Sequence, residues 1–184
     1  VRANESLTII RRLLEGESVT FTGLEFDISD ARIKPKPREP IPILVGGRSD
    51  AALERAAKHS EGWIGVWCSA KRYAEALGIL TEKAEEFGRN QVDWSHGYQP
   101  WIGIDKEDSK KARAAVAKGM EDFYKIPFSK FERYTPFGTP SEVAEQLVPY
   151  IEAGCRLFNL KVCASKPEEE MELGAEVLAL LRKN

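Results

Sequence analysis

One pattern constrains this chain's fold more than any single motif. From residue 40 onward a short apolar run is followed by a helical stretch, four times over. The runs are Ile43-Leu44-Val45, "EGWIGVW" from Glu61, "GYQPWIGI" from Gly97 and "RLFNLKVCA" from Arg156. Strands separated by helices cannot pair through tight turns, so they lie parallel, with the helices packed outside the sheet. Boundary residues agree with this reading. Ser49 predicts a cap for a helix from Asp50 to about His59, and Ser69 a cap for a helix over 70–87 that ends at Gly88. Asp105 opens a helix to about Tyr124, and "PFSKFERYTPFG" after it reads as aromatic-rich irregular chain. Thr139, Pro140 and Glu142 form a capping box with proline at the first helical position, and Gly154 ends that helix. Ser165 and Glu168 frame a second box before a helix over 166–182. Pro100 is the weak point of the third strand.

The segment 1–39 differs from the rest. A helix over 4–15 puts Leu7, Ile10, Leu13 and Leu14 on one side and stops near Gly16. "SVTFTGLEFDI" reads as a small hairpin or two extended pieces, and the four prolines of "KPKPREPIP" require extended chain. The segment 40–184 then carries the four βα units. A (β/α)8 barrel needs eight such units and about 250 residues. With 184 residues, the chain reads as half of a barrel or as a small open α/β sheet. Alternation in the last strand favours the barrel: Phe158, Leu160 and Val162 suit a helix-covered face, while Asn159 and Lys161 fall on the other, inward face. The chain starts at Val1 in a helix-like pattern without an initiator Met, as a processed or excised chain would.

Charge and motifs exclude several function classes. The net charge of -2, from 27 basic and 29 acidic residues, gives no bulk attraction for nucleic acid. "RIKPKPR" reads as a solvated loop. No apolar run is long enough for a membrane span, and no secretory signal is evident. Three cysteines without C-x-x-C spacing suit a reducing compartment, here the cytoplasm. His59 and His96 are far apart, and without H-E-x-x-H or clustered cysteines no metal site is expected. G-x-S-x-G, G-x-G-x-x-G and the P-loop pattern are all missing. Cys68 sits where a nucleophile would, yet no histidine is close in sequence, so its structural reading is favoured. No catalytic residue is assigned.

The candidate site lies where ligands gather in parallel α/β folds, at the C-terminal ends of strands. Gly46 and Gly47 end the first run and Arg48 and Ser49 follow. Two glycines there serve either a tight turn or close backbone approach to an anion at a helix start. Arg48 would add a bidentate contact to a phosphate. At the second strand end Trp63, Gly65 and Trp67 alternate onto one face, as core packing or as two indoles flanking a gap for a flat aromatic ligand. Trp101 and Gly103 repeat the pattern.

"SVTFTGLEFDI…KPKPREPIPILVGGRSDAALERAAKHSEGWI", "GRNQ" and "FGTPSEVAEQLVPYIEAGCRLFNL" together resemble the luciferase-like flavin- or F420-dependent oxidoreductases, over roughly residues 5–182. The resemblance implies a (β/α)8 barrel with FMN or coenzyme F420 at its C-terminal face. It implies monooxygenation with reduced FMN or hydride transfer with F420, on a small-molecule substrate. It places the cofactor phosphate at Gly47, Arg48 and Ser49, and the ring near Gly46 and the segment Gly65–Trp67. The serine and threonine that meet the phosphate in the luciferases fall at Arg48 and Ala51. The four units would be strands five to eight. The first four strands, with the usual catalytic histidine or acidic groups, are not in this chain, so the segment alone is expected to be inactive. A missing N-terminal half or a second copy of the chain would complete it. The alternative is a non-catalytic α/β binding or interaction module that kept the scaffold.

Overall fold

The computed structural model describes residues 1–183; Asn184, the last residue of the 40–184 segment, lies outside the described residues. Helix α1 (Arg2–Leu14) opens the chain, followed by an antiparallel hairpin of β1 (Val19–Thr22) and β2 (Asp27–Ala31). Helix and hairpin are tied together. The Glu5 carboxylate accepts from the backbone N–H groups of Leu24, Glu25 and Phe26 at 2.9, 3.0 and 3.2 Å. Ile9, not Ile10, is the buried residue of α1. The helix is rotated so that Arg11 reaches Glu61 at 2.6 Å, which leaves Ile10 exposed.

The remainder runs β3 (Leu44–Gly46), α2 (Asp50–His59), β4 (Gly62–Gly65), α3 (Ala70–Glu86), β5 (Gly97–Tyr98), β6 (Trp101–Ile104) and α4 (Ser109–Tyr124). It continues with β7 (Phe137–Gly138), α5 (Pro140–Glu152), β8 (Leu157–Phe158), β9 (Lys161–Ala164) and α6 (Glu170–Leu181). Every strand pair in this part is parallel. The strand orders are β3-β4-β5-β8 and β7-β6-β9, and among the described residues no closed barrel forms. Ser49, Ser69 and Thr139 cap their helices as their positions predict, and Glu142 completes the capping box.

The third and fourth runs each split in two. Their mutual ladder stays continuous, since Asn159 and Lys161 donate to the carbonyls of Tyr98 and Pro100 at 3.0 and 2.9 Å. The change occurs on the side of β4. Gln99 donates to the Gly65 carbonyl at 2.9 Å, whereas Gly103 and Asp105, further along the same side, donate to the carbonyls of Pro136 and Gly138 at 2.9 and 3.1 Å. There β7, inside the segment read as irregular, pairs with β6 instead. Two caps also differ from expectation. Asp108, not Asp105, caps α4, accepting from the N–H groups of Lys110 and Lys111. Ser165 caps nothing; its hydroxyl donates to the Asp105 carboxylate, and α6 starts after a 3-10 turn at Pro167–Glu169.

The two sheets differ in what covers them. Val45, Trp63 and Tyr98 point into the main core with Leu53, Tyr73 and Leu147 from the helices. The opposite face of the first sheet carries a cross-strand row of Gly46, Ile64, Gly97 and Leu157. Leu157 is exposed, and a Cβ on Gly46 would face open space but for the Ile64 carbonyl oxygen at 3.9 Å. Asn159 extends this bare face, as the alternation predicts. Lys161 does not. In the second sheet Ile102 and Ile104 face α5 and α6, while α4 covers the other side, where a Cβ on Gly103 would meet Ala112. There the Lys161 ammonium rests 4.7 Å from the ring centroids of both Trp101 and Phe123.

Candidate functional site

A cavity of about 440 Å³ opens beyond the C-terminal ends of β3 and β4. Arg48 and Ser49 from the β3–α2 turn, Trp67 and Ser69 from the β4–α3 turn, Arg72 from α3 and Tyr134 from the chain before β7 share its wall. Among the described residues, no carboxylate lines it. Of the residues read from the sequence, the cavity gathers Arg48, Ser49, Trp63, Trp67 and Cys68. Gly46, Gly47 and Gly65 are not on its wall.

Each glycine has its own local reason. Gly47 has φ +131°, and a Cβ there would come within 2.7 Å of the Ala52 Cβ, so the turn itself requires glycine. Its carbonyl accepts from the Trp63 indole N–H at 2.7 Å. Gly65 fails as a gap for a flat ligand. A Cβ on it would lie 2.9 Å from both the Trp63 and Tyr73 rings, so these rings already fill the space. Trp63 and Trp67 both reach the cavity wall, but they pack against different partners. The strand ends at Gly65, and Trp67 takes φ +46°, which breaks the alternation. Trp63 packs against Tyr73 at 5.3 Å in the main core, while Trp67 packs against Tyr124 and Phe131 at 5.0 and 4.9 Å. Of these three glycines, Gly46 keeps open space where a Cβ would sit.

The electrostatics of the cavity are positive. Arg48 stands 5.7 Å over the Trp67 ring and makes no ion pair among the described residues. Ser49 Oγ accepts from Ala52 N–H at 3.3 Å, and Asp50, although in the first turn of α2, makes no hydrogen bond to that helix start. The other leading N–H groups of α2 lack intrahelical acceptors. Among the described residues, Arg72 has a single carboxylate partner, Glu75 at 3.5 Å, with both side chains about half exposed.

Sequence reasoning missed what holds the β4–α3 turn. The Cys68 carbonyl accepts from the hydroxyls of Tyr150 (2.6 Å) and Tyr98 (3.1 Å), whose rings stack 4.0 Å apart. These tyrosines come from α5 and β5, and no local spacing relates them to Cys68. Burial pushes the Cys68 thiol up to about 11, so it is not a nucleophile at neutral pH. His96 is buried, accepts from Trp63 N–H at 3.2 Å through Nδ1, and stacks on Trp94. It lies at the opposite end of the sheet from the cavity. Burial also lowers the pKa of His59, at the end of α2.

A second charged group sits at the ends of β6 and β9. The Asp105 carboxylate accepts from the Ser165 hydroxyl and from the N–H groups of Glu107 (3.0 Å) and Asp108 (2.8 Å), which hold it at about 2. Lys106, Lys111 and Lys166 nearby already pair with Glu169, Glu172 and Asp108. This network satisfies itself.

Comparison with known proteins follows from this geometry. Residues 1–133 match the family described as luciferase-like monooxygenase. An F420-dependent glucose-6-phosphate dehydrogenase of Microbacterium testaceum is 38% identical over 204 aligned positions, covering 99% of this chain and 61% of the relative. A solved F420-dependent secondary alcohol dehydrogenase, in complex with an F420-acetone adduct, superposes with a TM-score of 0.82 at 19% identity, over 97% of this chain and 60% of that one. The monooxygenase RslO1 from Streptomyces bottropensis gives a TM-score of 0.75 at 22% identity, over 97% and 60%. The chain thus spans between 44% and 61% of the length of such curated relatives. Among the described residues, no helix is long and apolar enough to cross a membrane.

Proposed function

The chain belongs to the luciferase-like monooxygenase family, and we propose that it forms strands five to eight of a (β/α)8 oxidoreductase that binds FMN or F420. The segment 1–39 would be its helix and extended insertion, and 40–184 its four βα units. The observation that carries this reading is the cavity: it lies beyond two adjacent parallel strand ends, has two arginines and no carboxylate on its wall, and adjoins a bare sheet face. An N-terminal half of the barrel, in the same polypeptide or from a second copy, would cover the row of Gly46, Ile64, Gly97 and Leu157.

The residues fit a phosphorylated cofactor. Arg48, Ser49 and the first N–H groups of α2 would hold the phosphate, favoured by the helix dipole. Gly46 leaves room beside it, and Trp67 with Tyr134 would keep water from that end. Bound there, the cofactor supplies the redox chemistry: hydride exchange for F420, or oxygen chemistry for reduced FMN. A small molecule is the substrate and the cytoplasm the setting; neither nucleic acid nor membrane is involved. The 184-residue chain alone would not turn over, because half of the mouth that positions the cofactor is missing.

The test compares Arg48→Ala with Lys36→Ala in the full-length polypeptide. Arg48→Ala should weaken FMN or F420 binding much more than Lys36→Ala, and equal affinities refute the phosphate assignment. A non-catalytic module has one observation on its side: Gly47 and Gly65 are both explained without a ligand. It predicts no FMN or F420 binding by the full-length polypeptide.

A further inference from the structure

The cavity holds a residue to which the cofactor reading assigns no contact. Arg72 reaches its wall from α3, and Arg48 from the β3–α2 turn. Its placement runs against local preference. Lys71 and Arg72 both fall in the first turn of α3, and no acidic residue does. Cations there oppose the helix dipole. Among the described residues, the carboxylate paired with Arg72 is Glu75 at 3.5 Å, and that pair is about half exposed, so it holds the guanidinium weakly. The cavity wall offers no carboxylate to either arginine, while Ser49 and Ser69 add hydroxyls. Two guanidinium groups and two hydroxyls around one solvent-open space, without a neutralising acid, suit a ligand group with more than one negative charge or several anionic oxygens. Local rules are broken in this way where a ligand completes the electrostatics.

We propose that Arg72 is a second guanidinium contact to the ribityl phosphate of the bound flavin or deazaflavin, so that the Arg48–Arg72 pair selects phosphorylated over phosphate-free cofactor. This rests on the cofactor reading above and assigns Arg72 as the specificity residue of that site. The phosphate chemistry is shared by FMN and F420, and the two sources are separated by testing each against its own phosphate-free counterpart.

The experiment measures Kd by fluorescence titration for FMN, riboflavin, F420 and the phosphate-free deazaflavin core. It uses the full-length polypeptide and its Arg72→Ala and Arg72→Lys variants. Arg72→Ala should weaken the phosphorylated member of the bound pair roughly 10- to 100-fold, as for loss of a charge-assisted hydrogen bond. It should leave the phosphate-free member unchanged, and Arg72→Lys should recover part of the loss. Equal weakening of both members would mean that Arg72 acts through packing and overturns the assignment. Unchanged binding of FMN and F420 overturns it too. If the unsubstituted protein binds none of the four, the cofactor reading itself fails, and the Arg72 assignment with it; binding that ignores Arg72 defeats the assignment alone.

Discussion

Lowering the pH should destabilise this fold through His96 in a window that one substitution can isolate. Burial lowers the His96 pKa from its ordinary 6.5 to about 4. The neutral ring is the form that accepts the Trp63 N–H at 3.2 Å. As pH falls, the unfolded chain therefore takes up the proton before the folded one does. The stabilisation is complete above about 6.5 and is lost as pH drops towards 4. The interval between those values, at about 1.36 kcal/mol per unit, sets an upper size of about 3 kcal/mol. That is a large part of the stability of a small domain. His96→Asn keeps an acceptor near the Nδ1 position but does not titrate. Urea unfolding of both proteins at pH 7.5, 6, 5 and 4 reads the effect. At pH 7.5 the variant should be the less stable, by about 1 kcal/mol for lost packing on Trp94. The gap should close and then reverse towards pH 4. Parallel pH profiles for the two proteins would refute the reasoning, because carboxylates elsewhere lower both curves alike.

Other consequences are local. Gly65→Ala forces a Cβ to within 2.9 Å of the Trp63 and Tyr73 rings and should cost about 1–3 kcal/mol in urea unfolding; an unchanged midpoint would show that the rings yield. Lys125 closes α4 in the left-handed region at φ +57°. Lys125→Gly should relieve that strain and raise stability by about 0.5–1 kcal/mol, and a lower midpoint would contradict it. Among the cavity residues, Arg48→Ala should separate from Lys36→Ala in cofactor affinity, as set out above.

Much of this architecture was legible because local chemistry and fold agree. Ser49, Ser69 and the Thr139–Glu142 box start helices where their side chains can satisfy the first N–H groups. The alternation of Phe158, Leu160 and Val162 reports a helix-covered face. The misreadings share a different cause, which is long-range pairing. Ser165 looks like a cap until Asp105, 60 residues away, takes its hydroxyl. Phe137–Gly138 becomes a strand through β6, whose Gly103 and Asp105 donate to the carbonyls of Pro136 and Gly138. Lys161 keeps its alternation and stays exposed, but its ammonium rests against Trp101 and against Phe123 of α4. The site divides likewise. Arg48 and Ser49 are readable from their place at a strand end. The anchoring of Cys68 by Tyr98 and Tyr150, and the approach of Arg72 to the same cavity, arise only when separate elements meet.

Hydrogen exchange on the full-length polypeptide, with and without saturating FMN or F420, tests the central claim most directly. Binding at the cavity should slow exchange of the amides over 47–52 and 67–72, and leave the hairpin over 19–31 unchanged. Cofactor binding that slows exchange elsewhere and leaves 47–52 untouched would contradict the placement of the phosphate at Arg48 and Ser49.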